Sequence, residues 1–321
     1  MAGPVTGAFG RGLARLTEAA WEARRFAYAR GWFRPARVDA RVVSIGNLTV
    51  GGAGKTTCVL HLAAHLQARG ERVAVVTRRY RPGPAGLGDE ELLYRAALGP
   101  ALTFAGRRKL DEARRAAAAG ARLVLIDDGF SHWPLERDLD IVLLDRTNLW
   151  GGGRLLPAGH LREPIRALQR AEVVVVTRLA MDEDPAPLLA EVRRRAPAAT
   201  LAAARHVPDG VRDLDGRSCA GSGAARVLTA TGNPEAVAAS AREAGFAPVT
   251  LAAYRDHHWF TLAEATREHA LAQGGSLLLT AKDAVRWPVD APRDRVAVLG
   301  TRWQWVCGGE SVERLVQGEG S

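Results

Sequence analysis

A short glycine-rich stretch, SIGNLTVGGAGKTT over residues 44–57, carries the strongest chemical signal in this chain. Gly51, Gly52 and Gly54 let successive backbone N–H groups turn toward one anion, and a helix beginning near Lys55 adds the positive end of its dipole. In such a loop the Lys55 ammonium reaches the terminal phosphates of a nucleotide and the Thr56 hydroxyl ligates magnesium. The expected nucleotide-binding residues are therefore Thr49, Val50, Gly51, Gly52, Ala53, Gly54, Lys55, Thr56 and Thr57. One position is out of pattern. The usual loop has glycine six residues before its lysine, and here that residue is Thr49. Its loss changes the start of the loop and leaves the amide-lined centre intact.

Four other groupings bear on the same chemistry. VLIDDGFSH is an apolar strand ending in Asp127 and Asp128. An acidic strand tip is where a phosphate-loop fold holds its magnesium, and two adjacent carboxylates repel unless a cation lies between them. His132 follows closely, in reach of a substrate or of the loop itself. GLGDEELL places Asp89 and Glu90 after a glycine turn, where a carboxylate can receive or orient a hydroxyl proton. YRDHHWF brings Asp256, His257 and His258 together. They offer ligands to a metal, although adjacent histidines chelate one ion poorly, and equally a histidine to tune a carboxylate across a domain cleft. GRLLPAGHLREP offers Arg154, Arg162 and Glu163 on a proline-punctuated loop that suits a phosphate on an acceptor.

The elements that carry these residues alternate. RVVSI, RVAVVTR, ARLVLIDD, LDIVLLD and AEVVVVTR are continuous apolar runs separated by helical stretches. That pattern marks a parallel sheet covered on both faces, an α/β architecture of the P-loop NTPase-like kind. Residues 208–225 turn polar and glycine-rich and read as a linker; a second, smaller α/β domain follows. The expected organisation is a basic, aromatic helical segment over 1–38, a phosphate-loop core over 39–207, the linker, and a C-terminal domain over 226–321. On that division Asp89 and His257 belong to different domains and meet only across a cleft.

Composition narrows the partners. The formal net charge is +9 over 321 residues, which favours anionic partners. Residues 1–37 hold seven arginines against two glutamates, a net of +5. Trp21, Phe26, Tyr28, Trp32 and Phe33 are interleaved with them, a mixture suited equally to a membrane surface and to a helix packed on its own domain. No apolar run is long enough to span a bilayer, and the three cysteines have no paired spacing, which fits a reducing compartment. No nucleic-acid module is recognisable, and no obligate protein partner is expected. Lysine occurs only three times, as Lys55, Lys109 and Lys282. Where arginine is otherwise the rule, a retained lysine suits a place that needs a compact ammonium. A GTPase is disfavoured, because the guanine-reading [NT]-K-x-D pattern is missing: TAKD places its lysine one residue late, and VTRLA has none.

Taken in order, GNLTVGGAGKTT, TRRYRPG, GDEE, DDGFSH, RDLDIVLLD, LLPAGHLREP, ATGNPEAV, DHHWFT and LTAKDAVR resemble the motifs of the tetraacyldisaccharide 4′-kinases, over most of residues 40–287. That family's loop also lacks the first glycine. The resemblance implies transfer of the γ-phosphate of ATP, with Mg2+, to the 4′-hydroxyl of an acylated glucosamine disaccharide 1-phosphate, giving lipid IVA. It implies a peripheral enzyme on the cytoplasmic face of the inner membrane, held there by its N-terminal helix. Lys55 and Thr56 take the phosphates, Asp89 is the catalytic carboxylate with His257 as its partner, and Glu90 joins Thr56, Asp127 and Asp128 around the metal. Tyr80, Arg162 and Glu163 face the acceptor, and Arg108 and His132 are expected beside them from the sequence itself. The chain departs from the family at Arg79 (glycine), Ser131 (glutamine), Thr57 and Glu91 (proline) and Ala281 (glutamate). The alternative expectation is a P-loop ATPase or a catalytically impaired nucleotide-binding relative at the membrane.

Overall fold

The computed structural model describes residues 7–319. In chain order the first elements are α1 (Gly7–Ala29), β1 (Arg41–Asn47), α2 (Lys55–Ala68), β2 (Val73–Arg78), α3 (Asp89–Leu98), β3 (Thr103–Gly106) and α4 (Lys109–Ala118). Then come β4 (Leu123–Asp127), β5 (Leu139–Asp145), β6 (Val173–Thr177), α5 (Ala186–Arg193), β7 (Thr200–Asp213), β8 (Ser218–Cys219) and β9 (Gly223–Thr229). The chain closes with α6 (Pro234–Glu243), β10 (Phe246–Ala253), α7 (Leu262–Leu271), β11 (Ser276–Thr280), α8 (Ala281–Ala284), β12 (Val296–Cys307) and α9 (Gly309–Gln317).

These elements form two compact units. The larger comprises residues up to 78, Ala97–His206 and the chain from Trp303 on. Its strand order is β7-β6-β5-β1-β4-β2-β3, and every pairing along it is parallel. All five expected strands are present, with burial on both faces. β3 escapes the sequence pattern because four residues are too few to show a period. β1 lies between β4 and β5, so the loop after β1 opens at the carboxyl end of the sheet, beside the end of β4. That is where α/β sheets bind ligands. The apolar sides of the sheet are closed by α2 and α4 and by a cluster around Trp21, Trp133 and Leu168.

The smaller unit comprises Arg79–Ala96 and Val207–Arg302. It holds a parallel set in the order β10-β9-β11-β12, packed around Phe260 and Trp287 on one side and Phe246 on the other.

The expected division of the chain needs three corrections. Residues 79–96, with Asp89, leave the core and join the smaller unit. Trp303–Gln317 return to the larger unit, where α9 packs beside α2: Glu313 meets His61 at 3.1 Å and Trp305 at 2.9 Å. Residues 208–225 are no linker. β7 and β8 pair as an antiparallel hairpin, Val211 with Cys219 and Arg212 with Ser218. Its turn, DLDGR, is secured by the Asp213 carboxylate accepting from the Asp215 and Arg217 amides. Polar, glycine-bearing composition reports turns as readily as linkers.

The N-terminal segment is helical, and α1 is part of the larger unit. Trp21 and Ala27 are buried, Ala14 and Tyr28 pack on the same core, and Phe9, Leu16, Phe26, Trp32 and Phe33 stay exposed. Residues 1–6 lie outside the described residues. Among the described residues no helix is long and apolar enough to cross a membrane.

Candidate functional site

The larger unit carries the phosphate loop. Lys55 is the first residue of α2, and Gly54 caps that helix in the left-handed region, at φ 84°. A side chain at Gly54 would be strained by that angle and would place its Cβ 2.5 Å from the His206 ring. The Lys55 ammonium donates to Asn47 Oδ1 at 2.9 Å and lies 3.5 Å from Asp128 Oδ1. Asn47 in turn donates to the carbonyls of Thr49 and Gly51, which shapes the start of the loop. Thr177 donates to the Ala53 carbonyl and Arg178 to that of Gly52.

The odd Thr49 has a physical reason here. It forms an antiparallel bridge with Leu161 and is buried, while the Val50 amide donates to the His160 carbonyl at 2.8 Å. This position is extended and side-chain-packed, so glycine's freedom is not needed there. Thr56 and Thr57 lie in the first turn of α2, and Val50, Gly51, Gly52 and Ala53 form the loop before it.

Asp127 ends β4, buried, in register with Ile45 of β1. Asp128 follows with φ 53°, an uncommon angle for a non-glycine residue. Its conformation is held from both sides. Lys109 donates to its carbonyl at 2.6 Å, and Arg162 donates from one nitrogen to both carboxylate oxygens, at 2.7 and 2.9 Å. Burial opposes ionisation of Asp128, but Lys55, Arg162 and Lys109 together outweigh it and hold its carboxyl well below the usual range. His132 is pushed down to about 4, first by burial and then by Lys109, Arg137, Arg24 and Arg108. It is a neutral imidazole in a strongly positive neighbourhood. Arg108, largely exposed, precedes α4 and pairs with Asp111.

Glu163 departs from expectation. It is 3% exposed, and its oxygens accept from Trp21, Trp133 and Arg170. A carboxylate so enclosed holds the protein's own groups and does not face an acceptor. Its neighbour Arg162 remains partly exposed beside Asp128.

The smaller unit carries the second group, and it unites two residues expected in different domains. Asp89 and His257, 168 positions apart, are hydrogen-bonded at 2.8 Å between Oδ2 and Nδ1. Lys282 Nζ lies 3.6 Å from Asp89, 3.6 Å from Glu90 and 3.5 Å from His257 Nε2. Arg286 approaches Asp89 at 3.6 Å. Burial resists ionisation of Asp89, but the bond from His257 and the charges of Lys282 and Arg286 prevail and lower its carboxyl to about 2. It is a carboxylate, so Nδ1 of His257 is the protonated nitrogen. His257 sits at φ 63°, and Tyr80 meets its ring edge-on at 5.5 Å. His258 acts elsewhere. It bonds Glu264, which closes the capping box of α7 with Thr261.

The segment AKDAVR explains how Lys282 is aimed. Arg286 and Asp283 are fully buried and paired at 2.6 Å. Arg286 donates to the carbonyls of Lys282 and Ala230, and Asp283 accepts from the Ala230 amide. Two of the departures from the family pattern also find each other. Arg79 grips Glu91 with two hydrogen bonds, at 2.8 and 3.1 Å, beside Tyr80 and Asp89.

The expected residues thus divide between the units: the loop, Asp127, Asp128, Arg108, His132, Arg162 and Glu163 in one, Tyr80, Asp89, Glu90 and His257 in the other. Among the described residues no three acidic, histidine or cysteine side chains cluster as a metal cage. Magnesium bound with a nucleotide needs none, since one or two carboxylates and the phosphates suffice. Motif reasoning misses Asn47, Lys109, Lys282 and Arg286 as members of these groups. The scarcity of lysine is the available signal, because all three lysines stand at the two groups.

Comparison with known proteins identifies the family and the fold. The family model described as tetraacyldisaccharide-1-P 4′-kinase matches residues 8–318. A tetraacyldisaccharide 4′-kinase of Anaeromyxobacter sp. is 38% identical over 300 aligned positions, covering 84% of this chain and 80% of the relative. One from Gluconobacter oxydans is 34% identical, covering 86% of this chain and 84% of the relative. In fold the chain is similar to LpxK of Aquifex aeolicus, crystallised with ATP, with a TM-score of 0.73 at 22% identity over 96% of this chain and 97% of that one. The chain belongs to the tetraacyldisaccharide-1-P 4′-kinase family and is a kinase of the P-loop NTPase-like fold.

Proposed function

We propose that this protein moves the γ-phosphate of ATP to the 4′-hydroxyl of a tetraacylated glucosamine disaccharide 1-phosphate, giving lipid IVA. The observation that carries the reading is the Lys55 ammonium at the start of α2, beside Asn47 and Asp128, in a chain more than a third identical to named 4′-kinases. In the reaction the 4′-oxygen bonds to the γ-phosphorus, the bond to the β,γ-bridging oxygen breaks, ADP leaves, and the hydroxyl proton is taken up by the protein.

Lys55 and the loop amides meet the phosphates, with a charge that counts most as the phosphoryl group transfers. Within the larger unit, Thr56, Asp127 and Asp128 would hold magnesium, which would supply neutralisation of the phosphate charge. Arg108, Arg162 and His132 suit the acceptor's anionic and polar groups, and Tyr80 its sugar. Asp89 and His257 serve the attacking hydroxyl. A carboxylate lowered to about 2 is a weak base, so the proton leaves late, and its resting place is the Asp89–His257 pair as a coupled unit. Lys282 restrains both members.

An assay with ATP and the disaccharide 1-phosphate in detergent micelles tests the reading. Transfer of phosphate to the acceptor is expected. ATP hydrolysis with no phosphorylated acceptor would favour an ATPase instead.

Association with the cytoplasmic face of the inner membrane belongs to the same proposal. Phe9 and Trp32 are 73% and 71% exposed, Phe26 and Phe33 are exposed too, Trp32 lies against Phe26, and α1 itself carries several arginines. Each basic residue near an anionic surface contributes on the order of 1 kcal/mol. Deleting α1 would also remove Trp21 from the core, so replacing Phe9, Phe26, Trp32 and Phe33 by serine is the cleaner test. Partition into anionic vesicles should fall several-fold with the melting temperature kept. Unchanged partition at low salt would show that α1 serves only the fold.

A further inference from the structure

We propose that Glu163 is a positioning residue that fastens α1 to the loop bearing Arg162, and so couples the N-terminal helix to Asp128 beside the phosphate loop. The proposal rests on the kinase reading above.

Four observations carry it. The Glu163 carboxylate accepts from Trp21 Nε1 of α1 at 3.0 Å and from Arg170 at 2.8 Å, on the same oxygen, while Trp133 reaches the other at 3.5 Å. The Arg170 guanidinium lies 4.4 Å from the ring centres of both Phe130 and Trp133, and its Nε and Nη1 are buried without hydrogen-bond partners. Its charge is therefore met by Glu163 and by aromatic faces. One residue before Glu163, the Arg162 side chain holds both oxygens of Asp128, and the Arg162 amide donates to the Leu48 carbonyl at 2.7 Å, at the start of the phosphate loop. Phe130, two residues after Asp128, stands so close to Gly46 of β1 that a side chain there would fall 2.4 Å from the Phe130 Cβ. The network grips Asp128 from both directions along the chain.

Removing one partner of a buried charge pair leaves the other charge uncompensated. Neutralising Glu163 therefore frees Arg170 and loosens the backbone of Arg162 without touching a substrate. Trp21 contributes a single N–H from α1; Arg166 also ties that helix to the loop through Glu18 and Glu22, but only the Trp21 bond reaches the Glu163 carboxylate directly.

The full-length protein in micelles tests this with Glu163→Gln, Trp21→Phe, Arg162→Ala and the Arg162→Ala/Glu163→Gln double variant. The unaltered protein's phosphotransfer, measured in the same series, tests the kinase reading by itself. Glu163→Gln should lower kcat at least tenfold with the acceptor KM within twofold of wild type. Trp21→Phe, which keeps the bulk and removes the N–H, should lower kcat at least threefold. In the Arg162→Ala background, Glu163→Gln should cost less than a further twofold, because its effect passes through Arg162. A raised acceptor KM with kcat kept would make Glu163 a substrate contact and overturn the proposal. Multiplicative losses in the double variant would do the same, reducing Glu163 to a generic stabiliser. Should Glu163→Gln fail to fold, Trp21→Phe decides: wild-type kcat in that variant overturns the coupling.

Discussion

Replacing Lys55 by alanine lowers kcat by about 10²–10³-fold or more, the range found when one preorganised electrostatic partner of a transition state is removed. The protein should stay folded. Lys55 is partly exposed at the first turn of α2, and its structural partners are one amide oxygen and one carboxylate, a loss worth on the order of 1 kcal/mol or less in such a setting. Lys55→Arg should rescue poorly. The site in which the ammonium sits is bounded by Asn47 and Asp128, and a planar guanidinium does not replace a compact point charge there. Turnover and thermal melting on the same preparations check this. A Lys55→Ala protein with full activity would end the phosphate-loop reading, whatever else the family resemblance suggests.

The second large effect belongs to Asp89 and His257. Asp89→Asn and His257→Ala should each lower turnover by roughly 10²–10⁴-fold. If the pair acts as one unit, the double variant is scarcely worse than the worse single. ATP affinity should change little, because both residues lie outside the phosphate loop. His258→Ala should disturb the start of α7 through Glu264 and leave kcat within a few-fold, whereas multiplicative losses from Asp89 and His257 would mean they act independently. The pH dependence has a definite sign. The folded-state value of Asp89 is lowered from 3.8 to about 2, so its contribution to stability is complete above pH 3.8 and is lost as pH falls through about 2. Asp89 is ionised throughout any practical assay range. An acid limb of the turnover profile above pH 4 that survives in Asp89→Asn would belong to another group, as expected. Disappearance of that limb in the residual activity of Asp89→Asn would contradict the strongly lowered value.

Lys282→Ala should act on the same unit. It removes the ammonium 3.6 Å from Asp89 and from Glu90, so the carboxyl of Asp89 should rise toward its ordinary range and turnover should fall by an order of magnitude or more. Unaltered turnover would leave Lys282 as a spectator of the pair.

The sequence by itself determined whatever depends on neighbours along the chain. Apolar runs of five to seven residues forced β1, β2, β4, β5 and β6, since a run buried on both faces is stable only inside a covered sheet. Gly54 before Lys55 forced the turn into α2, and the scarcity of lysine pointed at residues whose compact charge is used. The tertiary structure decided what joins distant segments. That Asp89 and His257 share one unit followed from the packing of Arg79–Ala96 with Val207–Arg302, which no local period records. The return of α9 to α2 was hidden for the same reason, because Glu313 and His61 lie 252 positions apart. Arg162 and Glu163 are adjacent and both charged, yet one grips Asp128 while the other is enclosed by Trp21, Trp133 and Arg170. Composition cannot separate such neighbours. Whether a charge faces a ligand or the protein's own core depends on which side chains surround it, and those arrive from elements hundreds of residues apart in the chain or only a few, according to how the sheet is wound.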